Sequence, residues 1–150
     1  MENGMTQEDK DLLLKDLCGR LPYKVMAQYY DSEDECETLD EIEGIESSGH
    51  VEIGQYVLPI ENIRPYLFPL SSITEEQAKE MQEIVGSPKV ACIMRKTGGL
   101  ELWLDSIDTD PTIWLDTIFE VQDWLNKNHF DYRGLIPKSL ALDATGLNIY

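Results

Sequence analysis

Two imidazoles and three thiols are the side chains of this sequence best suited to bond-making chemistry. His50 and His129 are the only histidines, and Cys18, Cys36 and Cys92 are the cysteines. Asp131 stands two residues after His129, so a Cys–His–Asp nucleophilic site would need one cysteine folded beside that imidazole. Nothing in the local sequence brings one there. There is no Gly-x-Ser-x-Gly elbow, no His-Glu-x-x-His pattern, no Cys-x-x-Cys pair and no phosphate-binding glycine loop. Gly98-Gly99 reads as a turn. Asp105, Asp108 and Asp110 make the tightest acidic loop cluster, but the alternating acids, central glycine and closing glutamate of a calcium loop are missing. Neither histidine has a Cys or His at metal-ligand spacing. No catalytic residue, metal or cofactor is assigned on these grounds. A small hydrolase remains a remote alternative.

Charge carries more information. The 150 residues include 29 Asp and Glu against 12 Lys and Arg, a formal net charge of −17. That balance opposes direct nucleic-acid binding, which uses basic residues to displace counterions, and opposes anionic membrane surfaces. No basic residue lies between Val25 and Ile63, and none between Thr97 and Asn126. These stretches hold 11 and 7 of the acids. The plain interpretation is a solvated, self-repelling face that confers solubility. The functional one is docking on the basic surface of a partner protein. On that view the candidate interaction residues are Asp31, Glu33, Asp34, Glu35 and Glu37 in the first stretch, and Trp103, Asp105 and Asp108 in the second. Trp103 falls between Glu101 and Asp105, on the strand face opposite Leu100, Leu102 and Leu104. An exposed tryptophan there would anchor a partner, although a helix covering that face is the favoured arrangement. DNA mimicry, with carboxylates imitating phosphates to occupy a basic nucleic-acid-binding protein, is the alternative function.

These residues need elements to position them. Thr6 with Asp9 reads as a capping box opening a helix, with Leu14, Leu17, Cys18 and Leu21 as its apolar stripe and Gly19 and Pro22 ending it. Cys18 on that stripe would be buried. Tyr23 to Tyr30 reads as a strand, and Thr38 to Ile45 as another with a bulge at Gly44. Gly54-Gln55 predicts a two-residue hairpin turn that pairs Ile53 with Tyr56 and Val51 with Leu58. Pro59 then marks an edge or strand end. Residues 64–70 contain two prolines and read as a packed connector. Thr74 and Gln77 form a second capping box, opening a helix through Ala78, Met81 and Val85 that Gly86 and Pro88 end. A second hairpin spans Val90 to Leu104. The last helix starts from Asp110 and Pro111, with Trp114, Ile118, Val121 and Leu125 facing the core and His129 at its end.

The order predicts an α+β chain: N-terminal helix, small antiparallel and barrel-like sheet over 23–64, short helix, second hairpin, C-terminal amphipathic helix. The length fits one domain, divisible into subregions 1–70 and 71–150. Residues 1–10 lack the basic and apolar regions of a secretory leader, apolar runs are too short for a bilayer, and three scattered cysteines fit a reducing cytoplasm. A cytoplasmic location is the expectation; oligomeric state is left open.

Several segments resemble an uncharacterised family of small acidic proteins from gut bacteria and their prophage-like elements. They are residues 6–18 (TQEDKDLLLKDLC) with 20–23 (RLPY), 59–67 (PIENIRPYL), 71–76 (SSITEE) and, most distinctively, 124–136 (WLNKNHFDYRGLI). The family has no established activity, so the resemblance carries over no catalytic residue. It implies a small phage- or mobile-element-associated inhibitor or adaptor.

Overall fold

The computed structural model describes residues 4–85, 91–96, 99–104 and 111–150, with side chains for 4–84 and 115–150. In chain order the elements are α1 (Gln7–Arg20), β1 (Met26–Asp31), β2 (Cys36–Ile45), β3 (His50–Ile53), β4 (Tyr56–Pro59), β5 (Arg64–Pro69), α2 (Glu75–Val85), β6 (Ala91–Lys96), β7 (Gly99–Leu104), α3 (Pro111–Lys127), β8 (Phe130–Asp131) and β9 (Leu142–Asp143). The class is α+β. Two compact units divide the chain: residues up to Phe68 with Arg133–Tyr150, and Pro69–Tyr132.

In the first unit the sheet runs β4-β3-β2-β1-β5 with antiparallel neighbours, and β9 lies parallel to β5. The Gly54-Gln55 hairpin has the expected register, Val51 opposite Leu58 and Ile53 opposite Tyr56. Gly54 has φ +57, and a Cβ there would lie 2.8 Å from both Asp40 Oδ2 and Tyr29 Oη. Both facts call for glycine. Val51 and Ile53 are fully buried while Glu52 faces out. The bulge falls where Gly44 suggested it: pairing jumps from Ile42 with Ile53 to Gly44 with Glu52.

Two expectations for this sheet are corrected. It does not close into a barrel, because β4 pairs with β3 alone among the described strands. Residues 64–69 are a strand, not a connector. The prolines flank the residues that most need their backbone groups. Tyr66 and Leu67 pair with Leu142 and Asp143, and Leu67 O accepts from Ala144 N at 2.8 Å.

The capping box of α1 forms as expected, with Thr6 Oγ1 accepting from Asp9 N at 3.1 Å. Its buried face is different. Leu13, Asp16, Leu17 and Arg20 point inward, Leu14 is only half-buried and Cys18 is exposed. The helix also continues through Gly19 to Arg20. The buried stripe includes a bidentate ion pair, Arg20 Nε and Nη2 donating to Asp16 Oδ2 and Oδ1 at 2.7 and 3.1 Å. Counting only apolar residues therefore placed the stripe about one residue off. The tail 133–150 returns to this unit. Arg133 Nε approaches Asp16 Oδ1 at 3.4 Å, Leu135 and Leu140 enter the core with Leu13, Ala27 and Ile63, and the Tyr150 hydroxyl accepts from Met26 N (3.0 Å) and donates to Tyr66 O (2.8 Å).

In the second unit the Thr74 capping box forms, Gln77 N donating to Thr74 Oγ1 at 3.1 Å and Thr74 N to Gln77 Oε1 at 2.9 Å. Met81 is fully buried. β6 and β7 pair antiparallel from Ala91 with Leu104 to Lys96 with Gly99. Thr97-Gly98, Gly86, Pro88 and Asp110 lie outside the described residues, as does the Trp114 side chain. On α3, Thr117, Val121, Trp124 and Leu125 are buried, whereas Ile118 is exposed together with Leu115 and Phe119. Apolar residues occur nearly all round this helix, so spacing alone does not choose its inner face. The helix ends where His129, with φ +63, donates its N–H to Asn126 O at 3.2 Å. Trp124 stacks on Phe130 with centroids 5.6 Å apart.

Candidate functional site

Two strands of opposite character make the outer face of the first unit. Along β1, Ala27, Tyr29 and Asp31 are buried, while Gln28 and Tyr30 turn outward. Along β2, Glu37, Leu39, Glu41 and Glu43 are exposed. The register sets Tyr30 opposite Glu37, Gln28 opposite Leu39 and Met26 opposite Glu41. The next two strands add Glu52 and, opposite it, the exposed Val57. Carboxylates on this face therefore alternate with Tyr30, Leu39 and Val57, which are 55, 43 and 50% exposed. Positions two apart on a strand are about 7 Å apart. No lysine or arginine belongs to these four strands, so the carboxylate field is uncompensated within them.

The expected interaction residues divide by role. Glu33, Asp34 and Glu35 are exposed on the β1–β2 turn, and Glu37 is exposed on β2. Gln55 Nε2 donates to Glu33 Oε2 at 3.0 Å, tying that turn to the hairpin tip. Asp31 is different. It is 7% exposed and its Oδ1 accepts from Tyr56 Oη at 2.7 Å and from the N–H groups of Glu33 and Asp34 at 2.8 and 3.2 Å. The Tyr56 bond and these N–H groups hold its carboxyl below the usual range, and the same bond raises the Tyr56 phenol. Asp31 anchors the turn, with its carboxylate turned back into the fold. Asp105, Asp108 and the Trp103 side chain lie outside the described residues. Tyr30, Leu39, Glu41, Glu43, Glu52, Val57 and Arg64 were not among the expected residues. Strict alternation through 37, 39, 41 and 43 was the available signal, and it emerges once the strand begins at Cys36.

A groove of about 530 Å³ opens beside this face, lined by β1, β2 and β4 and by the turn into β5. Tyr30, Glu37, Tyr56, Leu58, Asn62 and Arg64 contribute side chains to it. Glu61, also on its wall, is engaged by Lys10 Nζ at 3.3 Å; its own backbone N–H, then Lys10, holds its carboxyl below the usual range. A second hollow of about 450 Å³ lies between the start of α1 and the β2–β3 turn. His50 is there, its Nδ1 3.1 Å from Ser48 Oγ, and Ser48 Oγ donates to Glu46 Oε2 at 3.3 Å. Neither hollow is lined by a thiol. Cys18 and Cys36 are exposed, and His129 is buried at the end of α3. Among the described residues no three His, Cys, Asp or Glu side chains gather as a metal site, and no helix is long and apolar enough to cross a membrane.

The first unit thus presents an open mixed sheet with a carboxylate-bearing outer face and a flanking groove. No family model, curated protein or solved structure matches the chain.

Proposed function

We propose that this chain is a non-enzymatic interaction module, an adaptor or inhibitor, whose outer sheet face docks on a basic surface of a partner protein. One observation carries the reading. The pleat places Glu37, Leu39, Glu41 and Tyr30 on one uncovered face, with Glu43, Glu52 and Val57 continuing the exposed surface. Carboxylates steer a cationic partner and set orientation. The aromatic and aliphatic side chains among them supply apolar area for a stable complex. Acids serving only solubility would not need large apolar side chains exposed among them. The resemblance to small acidic proteins of gut bacteria and prophage-like elements points to a bacterial or phage partner in the cytoplasm.

The test is capture from a lysate of the source organism with the wild-type chain and with a Glu37→Gln, Glu41→Gln, Glu43→Gln variant, each at low and high salt. A partner retained by the wild type at low salt, released at high salt and missed by the variant supports the proposal. Equal recovery by both chains overturns it. Duplex DNA added as competitor distinguishes the alternative: a captured protein displaced by DNA identifies nucleic-acid mimicry.

A further inference from the structure

Resting on the docking face proposed above, we infer that the groove beside it receives the last residue of the partner chain, a C-terminal lysine or arginine. Its carboxylate meets Arg64 and its side-chain cation meets Glu37.

Arg20 and Arg133 are committed to Asp16. Arg64 instead borders the groove, is exposed, and makes no ion pair or side-chain hydrogen bond among the described residues. In a chain of net charge −17, a guanidinium on a groove wall without a carboxylate partner is available for an external one, and its planar fork suits bidentate carboxylate binding. A free anion would be repelled by the surrounding field. A ligand residue carrying both signs would not.

Arg64 pairs with Gln28 on one side of β1, and Glu37 pairs with Tyr30 on the other. The two positions are therefore two strand spacings and two residues apart, roughly 12 Å between backbones. Both residues line the groove, and they do not pair with each other among the described residues, so a ligand residue that carries a carboxylate and a cation, such as a terminal lysine or arginine, can engage both. Tyr30, Tyr56 and Leu58 line the groove and can cover the aliphatic stem, and an aromatic face also favours a cation. The volume, about 530 Å³, falls within the roughly 300–1,000 Å³ of ligand sites and leaves room for the residues before the last.

The experiment titrates the full chain with three probes: the peptide Gly-Ser-Gly-Lys-Arg-Lys with a free C-terminal carboxylate, the same peptide with a C-terminal amide, and L-arginine. Binding is followed by backbone amide shifts. The acid peptide is expected to bind about tenfold more tightly than the amide, with shifts centred on Arg64, Tyr30 and Glu37. Arg64→Gln, at an exposed position, is expected to erase that difference. Equal affinity for acid and amide overturns the inference. If acid and amide peptides bind wild type equally and both are lost from the Glu37, Glu41, Glu43 variant, the groove assignment fails while the docking face stands. L-arginine binding as tightly as the acid peptide overturns the assignment to a polypeptide terminus.

Discussion

Asp16 and Glu37 carry the same functional group into opposite surroundings. Asp16 is fully buried on α1, with Arg20 at 2.7 Å and Arg133 at 3.4 Å on its oxygens. Glu37 stands on the exposed face of β2 opposite Tyr30. Asp31 lies between these extremes, at the end of β1 with its carboxylate turned back into the fold. The comparison separates acids that hold the structure from acids left exposed to solvent. A buried carboxylate is tolerated only when guanidinium or N–H donors replace its water. An exposed row costs mainly mutual repulsion. Total charge does not distinguish the two groups.

Replacing Asp16 tests the buried side most severely. Asp16→Ala removes the carboxylate that two guanidiniums share, and the expected loss is about 3–5 kcal/mol in urea unfolding. Asp16→Leu with Arg20→Met is expected to recover part of it, because the apolar pair needs no compensating charge while Arg133, partly exposed, keeps access to water.

Asp31→Asn is expected to destabilise less, and with a pH signature. The folded Asp31 carboxyl sits below its ordinary value. Its contribution is therefore complete above the unfolded pKa of about 3.9 and is lost as pH falls through the lower folded value. Unfolding curves of wild type and variant should differ most at neutral pH and converge on acidification. A gap independent of pH would mean that the Tyr56 and turn N–H bonds do not depend on the ionised form.

Tyr150 extends the comparison to the tail. Its phenol is tucked against the backbone of β1 and β5, and burial pushes it up to about 12, although the residue as a whole is 39% exposed. A raised folded pKa gives stability that is complete below the ordinary value near 10 and declines as pH rises toward 12. Tyr150→Phe is expected to lose about 1 kcal/mol at neutral pH and to show a shallower alkaline decline than wild type. The smallest structural effect belongs to the outer row. Glu37→Gln, Glu41→Gln and Glu43→Gln together are expected to shift stability by no more than about 0.5 kcal/mol each, in the stabilising direction as like charges are removed. Their effect should appear in partner capture instead. A large loss of stability would move these residues into Asp16's category.

Where local chemistry decides, the sequence was legible. Thr6 and Thr74 cap helices through residues three positions away, and a two-residue turn at Gly54-Gln55 leaves its hairpin one register. The acidic run announced an anionic surface, but not its geometry. Asp31 and Glu37 look alike in sequence because the pleat that separates them depends on where β1 and β2 begin and how they pair. The inner face of α1 escapes a count of apolar residues for a related reason. Asp16 and Arg20 count as polar until each neutralises the other. Proline weighed against β5, yet Tyr66 and Leu67 between the prolines found their partners in β9, more than seventy residues away.

The sequence by itself determined the caps, the hairpin, the α+β order and the excess of carboxylates, since each depends on turn chemistry, short periodicity or composition. Only the tertiary structure decided which carboxylates are internal, which strand stays at the edge, and that Arg64, Tyr30 and Glu37 border one groove. Those outcomes depend on contacts between distant segments, where packing and desolvation override local preference.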